Sequence, residues 1–194
     1  RLPTNEREAI LAGLSADQAN SLLYEWRGFH ARQDQIAPES DWDIWLALAG
    51  RGWGKTRTGA EWVRERITAG AKRIALIAET QKDLEEVMIA GESGILNVFP
   101  PDERPTVRYK PVRLAFPSGA VALGYNATEP SQLRGPQFDT AWCDELAKWR
   151  YGRETWDMLQ FGMRLGDDPR VCVTTTPRPI ELIKSIVARS EERR

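Results

Sequence analysis

The stretch from Trp45 to Thr58, WLALAGRGWGKTRT, constrains the fold of this chain more than any other. An apolar run from Trp45 to Ala49 enters a turn with glycine at positions 50, 52 and 54, and a helical pattern begins directly after it. Strand, glycine-rich loop and helix in that order make a cradle for phosphate. Backbone N–H groups of the loop and the first turn of the helix can surround anionic oxygens with little reorganisation. The strict pattern wants glycine five residues before the Gly54-Lys55-Thr56 triplet, and this chain has Ala49 there. Gly50, Gly52 and Gly54 are expected to supply the permissive dihedrals instead. Ala49, Gly50, Arg51, Gly52, Trp53, Gly54, Lys55 and Thr56 form the candidate nucleotide-binding loop. In it Lys55 would bridge the outer phosphates, the Thr56 hydroxyl would hold a magnesium ion, and Arg51 would be a second contact to the terminal phosphate. The plainer reading is a glycine-rich connector with solvated basic residues.

A second motif gives the loop a partner. Phe138 to Glu145, FDTAWCDE, reads as an apolar strand ending in two adjacent carboxylates. In a parallel sheet such a strand delivers both acids to the carboxyl edge, where phosphate loops also sit. Charge placement predicts that Asp144 orients the magnesium and Glu145 polarises the attacking water. Upstream, Ser131-Gln132-Leu133-Arg134-Gly135 puts Arg134 on a Gly- and Pro-flanked loop, from which a guanidinium could reach transition-state charge in its own subunit or a neighbour's. Asp139 reads as a local cap or solvent contact.

Downstream, Arg170 to Thr176, RVCVTTT, reads as a strand running into three hydroxyls. These suit a sensor of the terminal phosphate, with Thr175 and Thr176 ahead of Thr174. The simple alternative is β-formers ending a strand. Before the loop, Arg32 and Gln35 lie in an irregular segment. Gln35 can offer both a donor and an acceptor to an adenine edge, while the plain alternative is a polar connector.

The remaining segments complete an α/β pattern. Residues 4–26 read as two short helices, with capping-box spacings at Asn5/Glu8 and Ser15/Gln18 and an apolar face of Ala16, Ala19, Leu22, Leu23 and Trp26. Thr56 to Thr68 is helical, with Ala60, Val63 and Ile67 inward and Arg57, Glu61, Arg64 and Glu65 in solvent. Arg73 to Ala78 is a nearly continuous apolar strand. A helix from Thr80 to Ala90 should bury Leu84, Val87 and Met88. Short strands at 107–109, 112–116 and 120–124, turned by Pro117-Ser118-Gly119, suggest an antiparallel edge extension. Its Arg104, Arg108, Lys110 and Arg113 either touch a polyanion or are solvated edge charges. Helices at 154–165 and 180–189 close the layers.

Length and composition set outer limits. The 194 residues suffice for one domain with a substantial core. Net charge is −1, so no global basic character points to nucleic acid. Cys143 and Cys172 lie in apolar segments that suit buried thiols, and His30 is the single histidine, which speaks against a structural zinc site. No run reaches membrane-span length and no secretory signal opens the chain, so a cytoplasm is the expected compartment. The absence of a leading methionine and the polar end SEERR suggest one piece of a longer polypeptide.

Taken together, ALAGRGWGKTRTGAEWVR, SQLRGPQFDTAWCDELAKW and TTTPRP resemble the amino-terminal ATPase domain of the large terminase subunit of tailed bacteriophages and gene transfer agents, from about Arg32 to Pro179. The resemblance implies ATP and Mg2+ as cofactors and hydrolysis that drives double-stranded DNA through a portal protein into a procapsid. It also implies a homo-oligomeric, generally pentameric ring, a small terminase subunit as partner, and host cytoplasm with transient docking at the portal as location. It assigns Arg51 as the loop's characteristic arginine, Asp144 and Glu145 as metal and catalytic acids, and the Gln35 segment as adenine recognition. Thr174, Thr175 and Thr176 become the coupling motif and Arg134 an arginine finger. The family's RNase H-like nuclease domain has no counterpart after Pro179, so no nuclease activity is expected of this piece.

The expected architecture is a P-loop NTPase core of the additional-strand, RecA-like kind: a mostly parallel sheet, helices on both faces and an antiparallel edge hairpin. Residues 1–36 would form a helical, adenine-side segment packed on a core of residues 37–194. The competing classes are another P-loop ATPase, such as a helicase-like protein, and a noncatalytic nucleotide-binding assembly module.

Overall fold

The computed structural model describes residues 12–39 and 41–192. Two compact units divide the chain, Arg1–Ile36 and Ala37–Arg194.

In the first unit, helix α1 (Ala16–Leu23) starts at the expected capping box. Ser15 Oγ accepts from the Gln18 N–H at 3.2 Å, and Gln18 Oε1 accepts from the Ser15 N–H at 2.9 Å. The helix expected around Asn5 and Glu8 lies outside the described residues. The apolar face is narrower than its spacing suggests: Trp26 is buried, but Leu23 is 59% exposed. Helix α1 ends at Leu23, and Glu25 is extended (φ −83°, ψ +93°) before a π-helical turn (Trp26–His30), so Trp26 stands outside the 3.6-residue register of that face.

The second unit is built on a seven-stranded sheet: β1 (Ile44–Leu48), β2 (Arg73–Ala78), β3 (Thr106–Tyr109), β4 (Val112–Ala115), β5 (Val121–Asn126), β6 (Thr140–Asp144) and β7 (Arg170–Thr175). Their order across the sheet is β1-β7-β6-β2-β5-β4-β3. The four pairings from β1 to β5 are parallel; β5–β4 and β4–β3 are antiparallel. The mixed sheet has the expected α/β character. One boundary differs: β5, expected in the edge extension, pairs in parallel with β2 along its whole length and so belongs to the parallel core.

Side chains alternate into two cores. Ile74, Leu76 and Ala78 of β2 face one side with α2 (Lys55–Thr68) and α3 (Ile95–Val98). Ala75 and Ile77 face the other, with α4 (Gly152–Gly162) and α5 (Glu181–Glu192). The segment expected as a helix over 80–90 is largely a π-helical stretch (Asp83–Ile89), closed by an Ala90 N–H to Glu85 carbonyl bond at 3.0 Å. Its wider turn brings Ile89 into the core beside Leu84 and Met88, and leaves Val87 39% exposed, contrary to the helical-face expectation.

Helix α2 also departs from its expected amphipathic pattern. Glu61, expected in solvent, is buried at 1% exposure, with its carboxylate on Arg57 at 2.6 Å and Arg64 at 3.6 Å. Burial raises its pKa against the opposing pull of those arginines. Gly59 packs directly on Trp142, since a Cβ there would lie 2.1 Å from the indole Cε2. Both cysteines are free and buried. Among the described residues no helix is long and apolar enough to cross a membrane.

Candidate active site

The loop between β1 and α2 takes its shape from two glycines. Gly52 (φ +77°) and Gly54 (φ +94°) are left-handed, a conformation costly for residues with a Cβ. Ala49 needs no such freedom. Its N–H donates to the Thr175 carbonyl at 3.2 Å, which prolongs the β1–β7 ladder by one residue, so alanine is tolerated where the strict motif has glycine.

Lys55, the first residue of α2, is buried at 8% exposure and folds back over its own loop. Its ammonium donates to the carbonyls of Ala49 and Gly50, each at 3.1 Å, and lies 3.5 Å from Glu145 Oε1. Strand β6 delivers the opposing acids. Glu145 is the one described non-glycine residue with positive φ (φ +50°, ψ +39°), a strained turn held by its N–H on the Thr174 carbonyl at 2.6 Å.

Four further groups surround the Glu145 carboxylate. Lys55 and Lys148 approach at 3.5 and 3.4 Å, while Thr176 donates its N–H at 3.3 Å and its hydroxyl at 3.2 Å. Burial alone would raise its pKa, but Lys148, Lys55 and the Thr176 bonds outweigh burial and hold the carboxyl below its usual range. Asp144 is the opposite case. It is buried, and burial pushes its pKa up to about 6, against the Thr174 hydrogen bond that favours the ionised form.

The three threonines at the end of β7 divide their work differently from the expected ordering. Thr174 Oγ1 donates to Asp144 Oδ1 at 2.7 Å, and Thr176 holds Glu145. Thr175, ranked with Thr176 from sequence, instead accepts the Ala147 N–H at 3.0 Å and so braces the turn after the acids. Strand alternation explains the pattern, because side chains two apart share a face and Thr175 falls on the other one.

Arg51, Gly52, Gly54, Lys55, Thr56 and Glu145 line one open cleft of about 450 Å³. Its far wall is Glu86, Glu92 and Ser93, carried by and just after the π-helical stretch. Arg134 lines another cleft, of about 510 Å³, with Glu129, Glu154 and Asp157. Arg32 and Gln35 belong to the first unit, where Gln35 is buried and its Oε1 accepts the Arg32 N–H at 3.0 Å.

Two contributors escaped sequence reading. Lys148 stands three residues after Glu145 on a 3₁₀ turn (Leu146–Lys148), where side chains at i and i+3 eclipse. That spacing was available in the sequence, but the turn type was not. Trp142 donates its indole N–H to Thr174 Oγ1 at 2.8 Å, a contact that depends on strand pairing and leaves no local signal.

The mixed, largely parallel sheet, the glycine loop between β1 and α2 and the acids ending β6 define the α/β, P-loop RecA-like class. Residues 46–194 match the family model described as terminase large subunit, T4likevirus-type, N-terminal, and the chain belongs to that family. Among solved structures, the large terminase ATPase domain of Thermus phage P74-26 is similar with a TM-score of 0.63 at 17% identity, over 88% of this chain and 72% of that one. An arginine-to-alanine mutant of the same domain gives 0.57 at 17% identity, over 87% and 73%. At that identity the likeness speaks for the fold. No curated protein matches the sequence.

Proposed function

We propose that this chain hydrolyses ATP in the Lys55–Glu145 cleft, and that the hydrolysis drives double-stranded DNA into a viral procapsid. The observation that carries the reading is the meeting of two motifs far apart in sequence. The ammonium that opens α2 lies 3.5 Å from the carboxylate that follows β6, over a glycine loop shaped for phosphate, in a chain of the terminase large-subunit family.

Each residue has a role consistent with its surroundings. Backbone N–H groups of the loop bind phosphate oxygens, and Lys55 exchanges loop carbonyls for the outer phosphates. Arg51 adds a contact to the terminal phosphate. Glu145 is kept ionised by Lys148, Lys55 and Thr176, as a group that accepts a proton from water must be. Thr174 and Thr176 touch both acids and so register changes there, while Thr175 transmits them to the turn beyond. Arg32 and Gln35 are proposed to meet adenine, and Arg134, on its separate cleft, to act in a neighbouring subunit's site.

The donors also suit Mg2+. A buried carboxylate at Asp144 and the Thr56 hydroxyl on the cleft wall are hard oxygen ligands. When bound, that ion neutralises charge on the phosphate oxygens. We further propose a ring of subunits, generally five, docked on the portal protein in the host cytoplasm and supplied with DNA by a small terminase subunit.

ATP turnover per subunit, with and without linear duplex DNA, tests the hydrolysis. Lys55→Ala and Glu145→Ala should each abolish it, with ATP binding retained in Glu145→Ala. Turnover that persists in both variants would refute the assigned site. Nuclease protection of DNA in procapsids, lost in the same variants, tests the packaging. Robust turnover with no protection would leave an ATPase of another purpose.

A further inference from the structure

The hydrogen bonds behind Asp144 form a directed chain that begins at a tryptophan. Strands β6 and β7 pair in parallel with Asp144 opposite Thr174, and Trp142 precedes Asp144 by two residues. The Trp142 indole N–H donates to Thr174 Oγ1 at 2.8 Å, and Thr174 Oγ1 lies 2.7 Å from Asp144 Oδ1. Trp142 and Thr174 have no exposed surface, so water does not compete for either bond.

The direction follows from donor chemistry. An indole N–H can only donate, so it occupies a lone pair of the Thr174 oxygen. The single hydroxyl proton must then go to an acceptor. Two are in range: the Cys143 carbonyl at 3.5 Å and Asp144 Oδ1 at 2.7 Å. The shorter contact takes it. The indole lies directly against the Gly59 backbone of α2, where an added Cβ would come within 2.1 Å of it. The helix that starts at the phosphate loop thus braces the far end of the chain that ends at the acid.

We propose that Trp142 is a positioning residue: through the Thr174 hydroxyl it sets the pose in which Asp144 meets a divalent cation. This rests on the ATP-and-magnesium reading above and adds a residue to it. Trp142 touches neither nucleotide nor metal. Its effect is on how well Asp144 is placed for the metal-dependent part of nucleotide binding.

The test is calorimetric affinity for a non-hydrolysable ATP analogue, with Mg2+ and with a chelator, in the wild-type chain, Trp142→Phe, Thr174→Val and the double variant. Thermal unfolding of each checks that it is folded. Trp142→Phe should weaken the Mg2+-dependent affinity about three- to tenfold, the effect of one buried hydrogen bond on an equilibrium, and leave the metal-free affinity unchanged. Thr174→Val should do the same, and the double variant should be no weaker than Thr174→Val alone. Thr174→Ser, which keeps the hydroxyl, should recover most of the loss. If Trp142→Phe does not fold, the indole N–H resonance of Trp142 carries the test: it should move and exchange faster in Thr174→Val. An unchanged Mg2+-dependent affinity in folded Trp142→Phe, additive losses, or an unmoved indole resonance would overturn the proposal alone. A wild-type chain that binds no nucleotide would instead overturn the ATP reading, and with it this one.

Discussion

Gly59→Ala should destabilise the protein even though it replaces a glycine in the middle of a helix. Its ideal Cβ would sit 2.1, 2.2 and 2.6 Å from Cε2, Nε1 and Cζ2 of Trp142. Carbon contacts settle at roughly 3.5 Å or more, so helix or indole must retreat by about 1.4 Å. The indole is rigid and fully buried, and a shift of that size breaks its 2.8 Å bond to Thr174. Overpacking of this kind costs about 1–3 kcal/mol and the lost bond about 1 kcal/mol. Against them stands a gain of about 1 kcal/mol from alanine's helix propensity. The net is a loss of about 1–3 kcal/mol. In urea, with a slope of about 2 kcal/mol/M, the unfolding midpoint should fall by about 0.5–1.5 M with the slope unchanged. A midpoint that rises, as propensity alone requires, would refute the packing argument.

Other consequences are equally open to measurement. Lys148→Met removes the strongest counterweight to burial at Glu145, so its pKa should rise and the acidic limb of the ATP turnover profile should move to higher pH; an unmoved limb would separate Lys148 from the acid. Asp144 has the reverse sign. Its folded pKa of about 6 lies above its ordinary value, so its contribution to stability is present at low pH and is lost as pH rises through about 6. In metal-free buffer Asp144→Asn should therefore match wild type near pH 4 and exceed it at pH 8, by on the order of 1–3 kcal/mol; equal stabilities at pH 8 would contradict this. Arg57→Ala should cost about 3 kcal/mol in urea unfolding, because it strips the hydrogen-bonding partner from buried Glu61, whereas Glu61→Met, which leaves arginines that still reach solvent, should cost less; the reverse order would show that the carboxylate is not held by Arg57.

Local pattern carried much of this molecule. A short apolar run needs a sheet to bury it, and Gly52, Gly54 and Lys55 in register allow one loop geometry, so β1, the loop and α2 were legible from a few adjacent residues. The same holds for β2 and β6, where continuous apolar runs mark interior strands, and for the acids that end β6. Resemblance to terminase large subunits could be read from those segments, and the family match over residues 46–194 agrees with it.

What sequence could not decide depends on which element lies beside which. The order β1-β7-β6-β2 separates β1 from β2 by two strands that come much later in the chain, and nothing local encodes that choice. Pairing of β6 with β7 sets Thr174 against Asp144 and turns Thr175 away, although three successive threonines look alike in sequence. Packing of α2 on β6 makes Gly59 a contact surface, Glu61 is buried beside Arg57 and Arg64 of the same helix, and a π-helical stretch moves Val87 out and Ile89 in. Side-chain chemistry is a property of the residue and can be read one position at a time. Burial, hydrogen-bond direction and pKa are properties of neighbours, and neighbours exist only once the sheet has closed its order.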